Sequence, residues 1–589
     1  MSEKWFVTMK KADFDAIGAK FGIDPVTARI IRNREIVGDE AIADYLACSA
    51  QKLHDPHMLK DADKGAQILA GKIGQKKKIR VIGDYDIDGV NAAYILLTGL
   101  RACAAQADHV IPDRVHDGYG VNSGMIEKAL SDGIDTIITC DNGISAAQEI
   151  AYAAESGITV IITDHHEVPF TLDENGGKIY HIPPANAVIN PKQADCAYPY
   201  SGLCGAAVAW KFVQVLYEYM GIPVERSFEM IAHVAFATVG DVMDLTGENR
   251  MLVKLGLQAV HKTENPGLLA LIGQNHLERE QIKSWHFGFV LGPCINASGR
   301  LDTAKRSLQL LMEPSMEKAS QLAGELVELN DRRKNLTLKG LEEAKRLIEE
   351  QKICQDKVMV VYLPQCHESL AGIIAGRIRE QYHKPIFVLT DADDGGIKGS
   401  GRSIEAYSMF EEMTKCGGLM TKYGGHPMAA GLSMNKENAD EFRRQLNAYS
   451  TLTEEDFVEK VHIDVAMPLS YISARLIREF ECLEPFGKGN EKPVFAVRNV
   501  HPLRASIVGK NKNVLRLLLD DGAGGSIDAV YFGDIEAFLA FLREKSSKGQ
   551  VEALLHGGPQ QISFSITYDP SIDTYQGRER VQIIIRHYC

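Results

Sequence analysis

The chain is 589 residues long, 45% apolar and 24% charged, and 65 Lys and Arg stand against 78 Asp and Glu for a net charge of −13. At roughly 150 residues per domain this predicts about four domains with sizeable cores; it excludes wholesale disorder and a uniformly basic nucleic-acid coat, but not a basic groove on an acidic body. No apolar run reaches the ~18 residues of a membrane span, no apolar segment follows MSEKWFVTMKK as a secretory signal requires, and eleven cysteines without a CxxC pair predict reduced thiols in a cytoplasm.

Residues 1 to about 75 read as mixed and mostly helical, and 1–50 carry no assignable motif. From IRVIG (79–83) onward, short β-branched runs alternate with helical stretches. VNAAYILLTGLRACAA (90–105) is helical in length and spacing, whereas DHVIP (108–112), DTIIT (135–139), ITVIIT (158–163) and AVIN (187–190) read as strands. Such alternation predicts a parallel α/β sheet. The region 200–310 is mostly helical. MEKASQLAGELVELNDRRKNLTLKGLEEAKRLIEEQ lacks Pro and predicts one long connecting helix, or two with a break. VMVVYLP (358–364) and KPIFVLT (384–390) open a second α/β unit that runs through GGIKGSGRS and KYGGHPMAAGLS. From about 455 the tail reads as alternating strands of a small β-barrel.

The acids fall at the ends of the strands. Asp84, Asp86 and Asp88 follow the first run, Asp141 follows the third, and Asp164, His165 and His166 follow the fourth; Asp241, in ATVGDVMDL, follows another apolar run. In a parallel sheet these loops share one edge, where open α/β folds bind ligands. Taken alone, DYDIDG reads equally well as a solvated turn or a Ca²⁺ loop, but the twelfth position counted from Asp84 is the apolar Ile95 rather than a bidentate Glu. Converging carboxylates repel one another unless a cation joins them, and Mn²⁺-like ions also accept imidazole. The set exceeds the needs of one ion and suits two, an arrangement that activates a water and stabilises the leaving oxygen of a phosphodiester. Absence of a GxxxxGK[ST] loop, HExxH and GxSxG disfavours ATP hydrolysis, zinc proteolysis and serine hydrolysis.

DYDIDG, CDNGIS, TDHH and VGD, in this order, resemble the signature motifs of the DHH phosphoesterase superfamily. Within it the chain is similar to the RecJ family, on IPDRVHDGYG, LCGAAVAWKF, GPCINASGR, HESLAGIIAGRI, GSGRS, GGHPMAAG and LEPFGKGN. The resemblance implies a DHH catalytic domain (51–312), a connecting helix (313–353), a substrate-binding DHHA1 domain (354–452) and an OB-fold nucleic-acid-binding domain (453–589). It implies a 5′→3′ exonuclease that degrades single-stranded DNA to 5′-mononucleotides in recombination and repair. Two Mn²⁺ or Mg²⁺ ions would sit on Asp86, Asp88, Asp141, His165 and Asp241, with Asp84 beside them and His166 behind the ligands or on the phosphate. Two departures stand out: Ile82 occupies a position often His in the family, and Cys294 one often Arg.

The resemblance further implies a 5′-phosphate pocket of Arg114, Arg300, Ser400 and Arg402; Arg forks suit phosphate oxygens. Tyr119 is a candidate base-stacking residue and His426 a candidate DNA contact. Between Lys488 and Leu519 seven basic residues face a single acid, Glu491, as strand capture by a small barrel requires. A monomer is expected, with a helicase and a single-strand-binding protein as partners and no membrane. The rivals are a DHH phosphodiesterase acting on short oligonucleotides or cyclic dinucleotides, and a non-catalytic Cdc45-like scaffold, whose relatives lose the acids this chain keeps.

Overall fold

The computed structural model describes residues 3–114, 117, 120–392, 395–509, 511–522, 525–558, 561–575 and 578–589. They divide into two compact units, Leu53–Glu459 and the residues up to Lys52 together with Lys460–Cys589.

The first unit opens on a five-stranded parallel sheet of β1 (Lys78–Ile82), β2 (Gln106–Val110), β3 (Thr136–Cys140), β4 (Thr159–Thr163) and β5 (Ala187–Ile189), in the order β2-β1-β3-β4-β5. The order reverses direction between β1 and β3, so the loops after these strands part and leave a crevice there. Helices α1 (Ile87–Ala102), α2 (Gly205–Tyr219) and α3 (Ile231–Gly240) pack on one face through Ile95, Val208, Phe212 and Phe236. Ile82 faces the other, among Ile126, Ile137 and Ile162. Strands buried on both faces read as unbroken apolar runs, which is why periodicity found them. After α4 (Gly292–Leu301), α5 (Met316–Glu350) runs unbroken for 35 residues, settling the question of a break.

The second sheet of this unit holds β6 (Met359–Tyr362), β7 (Ile386–Asp391), β8 (Ile397–Arg402), β9 (Met420–His426) and β10 (Ala429–Met434), in the order β9-β10-β8-β7-β6. Helix α6 (Glu368–Tyr382) follows β6.

The second unit is a closed sheet. β11 (Val465–Ala466), β12 (Phe495–Val508), β13 (Val514–Asp520), β14 (Ser526–Tyr531), β15 (Phe564–Tyr575) and β16 (Arg578–Tyr588) run β11-β12-β13-β14-β16-β15, and β12 pairs with β15 to complete the ring. Two helices, Ile535–Lys545 and Lys548–Leu555, interrupt the strands between β14 and β15, which the alternation did not announce. The N-terminal segment adds a strand, Glu3–Val7, and lays Ile30, Ile31, Ile42 and Tyr45 into the same core as Phe495, Leu515 and Tyr568. Glu479 fastens it, accepting the Asp24 N–H at 2.6 Å and the Thr27 hydroxyl at 2.5 Å.

Candidate metal centre

The crevice between β1 and β3 gathers the acids. Asp86 caps α1, its Oδ1 accepting the N–H groups of Asp88 at 2.9 Å and Gly89 at 3.1 Å. Asp88, one helical step on, is fully buried. Its two oxygens accept the first N–H groups of α2, Gly205 at 2.6 Å and Ala206 at 2.8 Å, so the positive end of one helix holds a carboxylate on the start of another. A buried ion pair fixes α2 in turn: Lys211 Nζ lies 2.8 Å from Glu248, which also accepts the Tyr198 hydroxyl at 2.6 Å. Asp141, just past β3, takes a left-handed backbone at φ 61°. A Cβ at Gly205 would stand 2.7 Å from the Asp141 Cβ, so only glycine lets the helix come this close.

Asp164 organises the next loop. It is fully buried; its Oδ2 accepts the Ile144 N–H at 2.9 Å, and its Oδ1 accepts the N–H groups of His165 and His166 and the His166 Nδ1–H at 2.8 Å. His165 thereby points its Nε2 at Asp141 (3.0 Å), Asp88 (3.5 Å) and Asp241 (3.8 Å). Asp241 arrives from the C-terminal end of α3. Three sets of potential ligand atoms result: Asp84, Asp86 and Asp141; Asp88, His165 and Asp241; and Asp141, His165 and His166, each within 4.8 Å of one another.

The electrostatics of this cluster call for a cation. Burial, with Asp86 beside it, pushes the Asp84 carboxyl well above the ordinary range, and burial with Asp88 does the same to Asp141 and Asp241. Burial holds His165 below its ordinary value, leaving a neutral imidazole. Burial is the largest influence on His166 and opposes its charge, but the Asp164 hydrogen bond together with the charges of Asp164, Asp241 and Asp88 outweighs it and lifts the ring to about 9. The buried Asp84 Oδ1 and His165 Nδ1 find no hydrogen-bond partner among the described residues. Hard carboxylate oxygens with one or two imidazoles fit Mn²⁺ or Mg²⁺ rather than zinc. Ile82 is fully buried in the apolar layer, so nothing from that position reaches the acids.

The basic residues gather alongside. Arg300, at the end of α4, donates to the Ser369 carbonyl at 2.7 Å; burial pushes its guanidinium down to about 9, with Arg114 adding repulsion. Arg114 lies 4.8 Å over the Tyr85 ring. Arg402 Nη1 donates to Ser400 Oγ at 3.3 Å. A cleft of about 490 Å³ is lined by Tyr85, Arg114, Ser369 and Ser400, and also by Lys398 and Lys422. Cross-strand pairing aligns Lys398 with Ser433, Ser400 with Gly431 and Gly424, and Arg402 with Ala429 and His426, so bases flank a floor of small residues. His426 is exposed at the end of that row. Tyr119 lies outside the described residues.

Sequence reasoning singled out these acids and arginines but missed what five other positions contribute. Asp164 sat inside the TDHH string and was passed over as an anchor. Gly205 and Ala206 act through backbone N–H groups. Lys398 and Lys422 were visible only through the two-residue strand period they share with Ser400 and Gly424. Cys294, where relatives often carry Arg, is buried, with Asn275 and Asn330 donating to its sulfur.

Known proteins share these domains. The DHH family N-terminal domain model matches residues 78–238, the DHHA1 domain residues 355–451, and the RecJ OB domain residues 463–587. The single-stranded-DNA-specific exonuclease RecJ of Bacillus subtilis is 32% identical over 567 residues, spanning 96% of this chain and 68% of that protein. That of Dickeya dadantii is 30% identical, with 92% of both chains covered. Among solved structures, RecJ from Thermus thermophilus in complex with Mn²⁺ superposes with a TM-score of 0.81 at 26% identity, covering 100% of this chain and 79% of that one. With its three domains matched in order and its length spanned by such relatives, the chain belongs to the RecJ family of single-stranded-DNA-specific exonucleases.

Proposed function

We propose that this protein removes nucleotides from the 5′ end of single-stranded DNA as 5′-mononucleotides, using two Mn²⁺ or Mg²⁺ ions. The observation that carries this reading is the sharing of ligands: Asp141 and His165 each belong to two of the three sets, as neighbouring ions require. Bound there, the ions supply an activated water and charge neutralisation at the leaving 3′-oxygen. Asp84, Asp86 and Asp141 would hold one ion and Asp88, His165 and Asp241 the other, with Asp141, 3.0 Å from the His165 Nε2, the residue shared between them. Asp164 aims both histidines, and the half-exposed His166 meets the scissile phosphate. Arg114, Arg300, Ser400 and Arg402 take the terminal 5′-phosphate, which sets polarity, while His426 and Tyr119 contact the strand beyond it. The division at 51–312, 313–353, 354–452 and 453–589 assigns catalysis to the first span, strand holding to the third and capture to the last. A nuclease confined to single strands depends on strand separation, so a helicase and a single-strand-binding protein are its partners in recombination and repair, in the cytoplasm, with the enzyme a monomer.

The test is Mn²⁺-dependent digestion of one labelled oligonucleotide, single-stranded or duplex, with 5′-phosphate or 5′-hydroxyl, with Asp141→Ala as control. Mononucleotides released from the 5′ end of the single strand alone, and absent with the variant, are expected. Cleavage of dinucleotides but not of longer strands would instead make it a short-oligonucleotide phosphodiesterase, and binding without cleavage would make it a scaffold.

A further inference from the structure

Ile87 stands between Asp86 and Asp88, and three helices hold it. Asn296 Oδ1 of α4 accepts its N–H at 2.8 Å, and its carbonyl accepts a hydrogen bond from Asn91 Nδ2, one turn along α1, at 2.7 Å. Its side chain fills the space beside Gly240 of α3, the residue before Asp241: a Cβ at Gly240 would stand 2.5 Å from Ile87 Cδ1. The Asn91 amide is held in turn by α3. Its nitrogen is engaged by Ile87, so it meets His233 with Oδ1, 3.0 Å from the imidazole Nδ1, and the ring proton therefore sits on Nδ1. Tyr94, also on α1, covers the imidazole with 4.1 Å between ring centres. Asn91 is fully buried and His233 nearly so, and burial pushes the His233 ring down to about 3, so the bond joins two neutral groups.

We propose that Asn91 and His233 are positioning residues of the metal centre, a buried clasp that fixes the Asp86–Asp88 turn of α1 against the helix that delivers Asp241. The inference rests on the two-ion reading. Two polar groups facing each other between helices cost more to desolvate than an apolar pair filling the same space, and α1 and α3 otherwise bury mostly Ile, Val, Leu, Ala and Phe. What the polar pair adds is direction. An apolar contact lets two helices slide and rotate, whereas a buried hydrogen bond of fixed geometry admits one register. Register matters because Asp86 belongs to one ligand set and Asp88 and Asp241 to another, so a slip of α1 along α3 disturbs both. His233 belongs to none of the sets and acts through Asn91 and Ile87.

The experiment uses the full chain. Calorimetric titration of Mn²⁺ into metal-free protein gives affinities without turnover, melting of the chelated protein gives Tm, and steady-state digestion of a 5′-phosphorylated oligonucleotide gives kcat and KM. His233→Leu is close to the ring in volume and removes the donor; His233→Asn returns a donor at the place of Nδ1. In the double variant Asn91→Val, His233→Leu both polar groups are gone, so no unpaired oxygen is left in the core and Tm should recover. Both Mn²⁺ affinities should fall about tenfold in His233→Leu and stay low in the double variant, while His233→Asn restores most of the loss. The oligonucleotide KM, and kcat at saturating Mn²⁺, should stay within a few-fold of wild type. Affinity that never changes, or that returns with Tm in the double variant, overturns the proposal and leaves the pair a hydrogen bond of the core alone. Loss confined to one ion also overturns it, since the clasp serves both sets. Wild type that takes up no Mn²⁺ would overturn the two-ion reading itself, whereas two ions bound equally by wild type and variants would overturn only the clasp.

Discussion

A carboxylate at the bottom of a metal loop is worth as much as the ligands it aims. Asp164 spends one oxygen on two backbone N–H groups and the His166 ring, and the other on Ile144, so both histidines leave the β4 loop in fixed directions. Asp164→Asn loses part of this grip; we expect the Mn²⁺ concentration giving half-maximal digestion to rise 10–100-fold, with activity recovering at high Mn²⁺. The acids make a second prediction. Asp84, Asp141 and Asp241 are raised in the fold, so the metal-free fold binds more protons than the unfolded chain. Their contribution is present below the ordinary carboxylate pKa, about 4, and is lost as pH climbs through their raised values. His166, lifted to about 9, has the same sign, its contribution fading as pH rises through 9. Chelated protein should therefore melt lower at pH 8 than this cluster alone would allow at pH 6, and Mn²⁺ should raise Tm more at pH 8. Equal Mn²⁺ shifts at both values would remove these acids from the ligand set.

Among the elements, α2 shows how a helix end can be part of a metal site without offering a ligand. Its first two N–H groups hold Asp88, and Gly205 leaves room for Asp141. Gly205→Ala gains helix propensity but drives a methyl into Asp141, so we expect weakened Mn²⁺ binding, 10–100-fold in a titration of activity, at nearly unchanged Tm. Legibility follows the same line. β1, β3 and β4 were readable because strands covered on both faces show as apolar runs, and the acids were readable because each stands directly after one. Asp241 was readable only as an acid after an apolar run, which proves to be the helix α3. Backbone donors leave no mark in a sequence, so Gly205 and Ala206, in GLCGAA, read only as a Gly-rich break in a helical region, where the structure starts α2. The 535–555 helices hid because Phe538, Leu539 and Leu542 lie within a tail whose strand pattern dominated. Residues 1–50 hid for a different reason: the partners of Ile30 and Ile31 are more than 400 positions away.

For the molecule as a whole, that distant pairing changes what a truncation means. Removing residues from about 455 onward uncovers Ile30, Ile31, Ile42 and Tyr45, which have lost Phe495, Leu515 and Tyr568. A chain of residues 1–454 should therefore aggregate or bind a hydrophobic dye, whereas residues 53–459 should stay monomeric by size-exclusion chromatography and keep Mn²⁺-dependent digestion of short single strands with weaker binding to long ones. Equal behaviour of the two truncations would mean that the first fifty residues do not need the barrel.

The same arrangement sets a delay during synthesis. The two segments of the second unit's core leave the ribosome separated by roughly 400 residues, about 20–80 s at 5–20 residues per second. Throughout that interval the first unit can fold, while the apolar side chains of the opening helices wait without their partners. The nascent chain thus presents Ile30 and Ile31 to chaperones for most of the time it takes to be made.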